Sequence, residues 1–344
     1  MMMDKDQTLY ELNINRDLNY DIPQTPDTIT SRSRKAIPDR FKGKVAIVTG
    51  GTSGIGFSIV EELLKEGCAV AFSGRNEKTA IEAEEILDAQ GLKNYLFIKA
   101  DTAKEEDCIR TVETTAEKFG RIDYLVNNAF PFGSTKRDLD NELWYNSFIG
   151  GPLAYAQMMQ LVAPHMIKVG GGSIVNVSSI SGHITQGGRW TYNTMKGIVG
   201  QLSNSAAKDF ARDNIRVNLM SPAHIWTRQT KNDFNHPDPN EVRDSIRYTA
   251  KGYMLNRGGE PVECAAATLF LLSDDASYIT GSEFMVDAGF LTLGSQGSID
   301  KGFRDEREYS LEPIYGRHYA GTKFTKPTSH YPELFEKLNK EVDR

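Results

Sequence analysis

Apolar residues along the middle of this chain gather into short runs separated by longer amphipathic stretches. The runs KVAIVTG (44–50), CAVAFSG (68–74), NYLFIKAD (94–101), RIDYLVNNA (121–129), GSIVNVSS (172–179), NIRVNLMS (214–221) and SEFMVDAG (282–289) are rich in Val and Ile, with few polar interruptions. Runs of this kind predict strands covered on both faces. Between them lie segments of helical length at 54–66, 77–90, 104–119, 138–169 and 192–213. Alternation of strand and helix implies right-handed βαβ units and an α/β fold with a parallel, doubly wound sheet.

The flanks break this pattern. Residues 1–40 are rich in Asp, Asn, Thr, Ser and Pro, a composition that favours disorder. Yet Tyr10, Leu12, Ile14, Leu18, Tyr20 and Ile22 all fall on even positions, the period of a half-buried extended strand. Both readings stand: a disordered extension, or an arm ordered against the body or a neighbouring subunit. The tail, 291–344, ends in PELFEKLNKEVDR, where Leu334, Phe335, Leu338 and Val342 share one helical face. We read it as a docked appendage. The body, 41–290, contains no internal repeat or linker and is read as one domain.

Composition narrows the function. The net charge of −6 leaves no basic surplus for a nucleic-acid partner. Cys68, Cys108 and Cys264 are scattered and odd in number, which suits reduced thiols in a cytoplasmic protein. No signal-peptide core, no run of 18 apolar residues and no metal-ligand spacing is evident, so neither membrane nor metal is expected.

The first strand runs into TGGTSGIG (49–56), where Gly50, Gly54 and Gly56 precede a helix. Glycines there let backbone approach a pyrophosphate, whose charge the helix N-terminus holds. A second candidate is TYNTMK (191–196). Chance alone gives about one Tyr-x-x-x-Lys in a chain of this composition, and three occur: Tyr95/Lys99, Tyr192/Lys196 and Tyr319/Lys323. The first lies in a strand, where its members stand ~13 Å apart. In the third, Gly321 makes a regular helix doubtful. Tyr192 and Lys196 open a helical pattern and share a face. A nearby ammonium lowers a phenol's pKa and fits it for proton transfer. Ser179, thirteen residues before Tyr192, ends a strand, where open α/β sheets bind ligands.

Together these motifs resemble the short-chain dehydrogenase/reductase family. The likeness rests on T-G-x-x-x-G-x-G after strand one, N-N-A (127–129) after strand four, Ser178-Ser179, Tyr-x-x-x-Lys, SPAHIWT (221–227) and RGGEPVE…FLLSDDASYITGSEFMVDAG (257–289). It covers about 41–290. It implies a single Rossmann-type domain with about seven strands, a homotetramer or homodimer, and a small-molecule carbonyl or alcohol substrate. It implies that Ser179 polarises the substrate, that Tyr192 is the acid/base, and that Lys196 binds the nicotinamide ribose and lowers the tyrosine pKa. Cofactor contacts are implied for Gly50, Thr52, Ser53, Gly54, Ile55, Gly56, Arg75, Asp101, Thr102, Asn128, Ala129, Tyr192, Lys196, Pro222, Ile225 and Thr227. Where an NAD enzyme carries an acidic residue at the end of strand two, this chain has Gly74 followed by Arg75. A guanidinium suits the 2′-phosphate of NADP(H), so NADP(H) is expected over NAD.

Two positions depart from the family pattern. Phe130 stands where a Gly usually follows N-N-A, either as pocket wall or as filler. Gly151, within IGGPL (149–153), stands where an Asn usually joins a water relay to the lysine. Gly-Gly-Pro should break the helix there, and backbone at Gly150 or Gly151 is expected to hold that water instead, with Asn146 as the alternative in another register. His183, Gln186, Trp190, His224 and Trp226 are candidate pocket residues, residues 224–256 a candidate lid, and Tyr315, His318 and Tyr319 candidate covers. Hydride transfer between a secondary alcohol and a ketone is the leading expectation. The alternatives are C=C reduction of an enoyl substrate and a non-catalytic, NADP-sensing scaffold.

Overall fold

The structure is a computed structural model and describes residues 34–133, 140–227, 252–255 and 258–293. The alternating arm, most of the candidate lid, the Tyr319/Lys323 pair and the tail beyond residue 293 lie outside the described residues.

All seven apolar runs form strands. They are β1 (Val45–Val48), β2 (Ala69–Gly74), β3 (Tyr95–Lys99), β4 (Tyr124–Asn127), β5 (Gly172–Val177), β6 (Ile215–Pro222) and β7 (Glu283–Val286). The sheet is parallel throughout, in the order β3-β2-β1-β4-β5-β6-β7. The order reverses between β1 and β4, which opens a crevice at their carboxyl ends.

Side-chain alternation along each strand feeds two cores. Ala46, Val48, Tyr124, Val126, Val175, Val177 and Met220 point to one face and pack on α1 (Gly54–Lys65), α2 (Glu77–Ala89) and α7 (Pro261–Leu272). Ile47, Leu125, Ile174 and Val217 point to the other, against α3 (Glu105–Phe119), α5 (Ala154–Lys168) and α6 (Trp190–Phe210). Local signals set the helix ends. Asn76 accepts from Lys78 N at 2.9 Å to start α2, and Glu260 and Glu263 form a capping box on α7.

The break expected at IGGPL is present. Helix α4 (Asn141–Phe148) passes into a π-helical turn, Ile149–Leu153, before α5 resumes. Gly151 there has φ −108° and ψ −105°, outside the helical region.

Residues 34–41 wrap the far end of α1. Glu66, fully buried, bonds Arg34, accepts from Arg40 Nε at 2.6 Å and from Ile37 N at 2.9 Å. Arg34 also reaches Glu62 at 2.7 Å. A buried carboxylate is tolerable only when matched this way. Glu66→Ala is expected to lower unfolding free energy by ~2–4 kcal/mol in urea denaturation, because it takes the buried partner from Arg40 and Ile37 N and leaves Arg34 with Glu62 alone. An unchanged midpoint would show that the wrap contributes nothing.

Candidate active site

The turn after β1 holds its shape through its neighbour across the crevice. Asn128 Nδ2 donates to Thr49 O and Gly50 O, each at 3.0 Å, and Thr49 Oγ1 accepts from Asn128 N and Ala129 N. A Cβ on Gly50 would fall 2.9 Å from Ala129 Cα, and one on Gly56 would fall 2.2 Å from Gly50 O. Gly50 and Gly54 have φ of 65° and 54°. Ser53 stands at the N-cap of α1, whose first-turn amides have no partner within the helix. This cradle fits a dinucleotide pyrophosphate. Thr227, in the segment after β6, stands over Gly54, with its Cγ2 3.2 Å from where a Cβ there would lie.

The other expected cofactor residues follow the carboxyl ends of the strands. Pro222 ends β6, and Ile225 is buried and bridged to Gly259. Thr52 Oγ1 accepts from Thr79 at 3.2 Å, and a Cβ at Gly74 would sit 2.7 Å from Thr52 Cγ2. Arg75 is largely exposed, its Nη1 4.0 Å from Asp101 Oδ2. Asp101 also accepts from Ala103 N, while the Thr102 carbonyl accepts from Cys108 Sγ.

Ser179, Tyr192 and Lys196 come together at the carboxyl end of β5. Ser179 Oγ lies 3.1 Å from Ser181 Oγ and accepts from Ser181 N, which fixes its direction. The Ser179 hydroxyl lies near enough to Tyr192 to pull its phenol pKa down. Lys196 is only 3% exposed, and its Nζ donates to Val177 O at 2.9 Å. By contrast Tyr95 and Lys99 serve separate partners, Asp88 and Glu77, each at 2.9 Å.

The electrostatics differ from expectation. Burial pushes the Tyr192 phenol above its usual value, against the opposing pull of the Ser179 hydroxyl and Arg189. Burial also pushes Lys196 down to about 7. The expected fall of the phenol pKa is therefore not seen.

The departures at Phe130 and Gly151 meet in space. The Phe130 ring faces Lys196: its centroid is 3.7 Å from Nζ. Gly151 O accepts from Ala154 N. Phe130 also sets its ring at right angles to Tyr192, while Phe132 stacks on Tyr192 at 6.0 Å. Tyr155, buried on α5 and not anticipated from sequence, donates to Val177 O beside Lys196 at 3.1 Å. A tyrosine among the apolar residues of a core helix was its one signal. Of the candidate pocket residues, Gln186 accepts from Ser181 Oγ and Trp190 stands exposed at the start of α6. His183 is engaged 2.9 Å from Glu283, and His224 packs edge-on against buried Trp226.

A family profile described as "Enoyl-(Acyl carrier protein) reductase", of the short-chain dehydrogenase class, matches residues 50–291. The chain belongs to the short-chain dehydrogenase/reductase family. It is therefore an oxidoreductase of the kind that uses NAD(P). It is 38% identical over 260 residues to a 7alpha-hydroxysteroid dehydrogenase of Clostridium sardiniense, covering 73% of this chain and 94% of that protein. It is 36% identical over 252 residues to Dehydrogenase/reductase SDR family member 4 of Caenorhabditis elegans, covering 73% and 96%. Among solved family structures, a levodione reductase matches with a TM-score of 0.68 and 28% identity, over 72% of this chain and 98% of that one.

Burial of Lys196 has a measurable cost. Its folded value near 7 lies below the ordinary 10.5 of the unfolded chain. Between those values the unfolded state binds the extra proton, so this group's contribution to stability rises with pH. The stability difference between the protein and Lys196→Met should therefore grow from pH 7 to about 10, by up to ~1.4 kcal/mol per pH unit. Denaturant titrations across that range check this, and a flat difference would mean the amine keeps its charge on folding.

Proposed function

We propose that the protein is an NADP(H)-dependent carbonyl reductase, interconverting a ketone and a secondary alcohol. The observation that carries this reading is the gathering of Ser179, Tyr192 and buried Lys196 at the carboxyl end of β5, with Lys196 Nζ on the Val177 carbonyl and 5.8 Å from the Tyr192 ring. The nicotinamide, when bound, supplies or accepts the hydride. Ser179 donates to the carbonyl oxygen and holds it. Tyr192 passes its phenolic proton to that oxygen as negative charge develops. Tyr192→Phe should lower turnover by ~10³-fold or more while leaving dinucleotide affinity nearly unchanged. Substantial activity in that variant would refute the assignment.

The preference for NADP(H) is argued from β2. Thr52 crowds position 74, so an acidic side chain has no room there, while Arg75 beside it is exposed and free to turn. A guanidinium forms charge-assisted bonds to a 2′-phosphate. Arg75→Ala should raise KM for NADPH by ~10-fold or more and leave KM for NADH almost unmoved. Equal effects on both cofactors would overturn the preference.

The profile's description favours a second reading, reduction of an enoyl C=C bond. Following absorbance at 340 nm over a panel of ketones, alcohols and enoyl thioesters separates the two. The exposed ring of Phe132 over Tyr192 gives the mouth an apolar, flat wall, in keeping with an apolar substrate. No helix among the described residues is long and apolar enough to cross a membrane. With three buried free thiols, we assign the protein to the cytoplasm, as a homodimer or homotetramer that light scattering would reveal.

A further inference from the structure

We infer that Phe130 is a positioning residue for Lys196, its ring face holding the ammonium, and that position 151 is glycine in order to admit that ring. The inference rests on the reading of Tyr192 and Lys196 as the proton-handling pair.

Three contacts place the ring. Its centroid lies 3.7 Å from Lys196 Nζ, well inside the ~6 Å over which an aromatic face attracts a cation. Its edge-to-face partners are Tyr192 at 5.7 Å and Tyr155 at 6.2 Å. A Cβ added to Gly151 would stand 2.8 Å from Phe130 Cε2 and 3.0 Å from Cζ. Any side chain at 151 would thus drive the ring from its place. The ring in turn fills the space such a side chain would enter.

The titratable groups facing Lys196 are Tyr155 from α5 and Tyr192 from its own helix, with Arg189 close to Tyr192. Among the described residues the one hydrogen bond from Nζ goes to the Val177 carbonyl, which Tyr155 also uses. Burial works against the ammonium, and the π-face of Phe130 works for it. Removing the face while keeping the bulk should shift the balance towards the neutral amine.

The test is a titration of the full chain labelled with ¹³Cε-lysine and followed by NMR, the Lys196 resonance being identified by its absence in Lys196→Met. Phe130→Leu should lower the Lys196 midpoint by about 0.5–1.5 pH units, and Phe130→Tyr should leave it in place. If the leucine variant fails to fold, pentafluorophenylalanine incorporated at 130 keeps the shape and removes the attraction, and should give the same fall. Gly151→Ala should lower the midpoint too, with no further fall when added to Phe130→Leu. An unmoved midpoint in Phe130→Leu or the fluorinated protein overturns the inference, as does additivity of the two substitutions. Activity retained by Tyr192→Phe would overturn both this inference and the proposed function. An inactive Tyr192→Phe with an unmoved Lys196 midpoint would overturn this inference alone.

Discussion

Asn128 ties together two turns that the chain reaches far apart in sequence. Its side-chain amide bonds the carbonyls of Thr49 and Gly50, while its own N–H and that of Ala129 return to Thr49 Oγ1. The turn after β1 must therefore run close to the segment after β4. Glycine is required at 50 and 56 because backbone already occupies the space of a Cβ. The same anchor sets the exit of β4, and two residues later Phe130 arrives over Lys196. The dinucleotide cradle and the surroundings of the lysine thus share one support.

A chain of buried amides runs beneath the crevice. Asn127 donates to Asn176 at 2.9 Å, and Asn176 donates to Ser203 at 2.8 Å, linking β4, β5 and α6 through the apolar interior. A buried amide left unpaired would cost more than its partners gain by bonding it. Lys196 is treated more sparingly: among the described residues its Nζ has one carbonyl, the Phe130 ring at 3.7 Å and the Tyr192 ring at 5.8 Å. That economy leaves its charge near balance, so small changes around it have large effects on protonation.

Much of this was legible from sequence, for reasons that can be stated. The seven strands could be read because strands buried on both faces must be apolar throughout, and the break at IGGPL because proline and paired glycines act locally. TYNTMK was separable from its competitors because helical spacing alone brings a tyrosine and a lysine onto one face. What stayed hidden depends on contacts between distant segments. Phe130 was read as wall or filler, yet its significance lies in Lys196 and Gly151, which neither spacing nor propensity connects to it. Tyr192 was expected below its usual pKa, but burial of the whole cluster outweighs the pairwise attraction. Arg34 and Arg40 read as part of a polar leader, though both converge on Glu66.

The clasp at Glu66 also bears on how the protein responds to its solvent. Exposed pairs such as Lys93–Asp88 and Lys99–Glu77 face the ion atmosphere and fade as ionic strength rises. Glu66 has no exposed surface, and its two arginines little, so mobile ions screen this cluster far less. The fastening of residues 34–41 to α1 is accordingly less sensitive to brine than the charges around it.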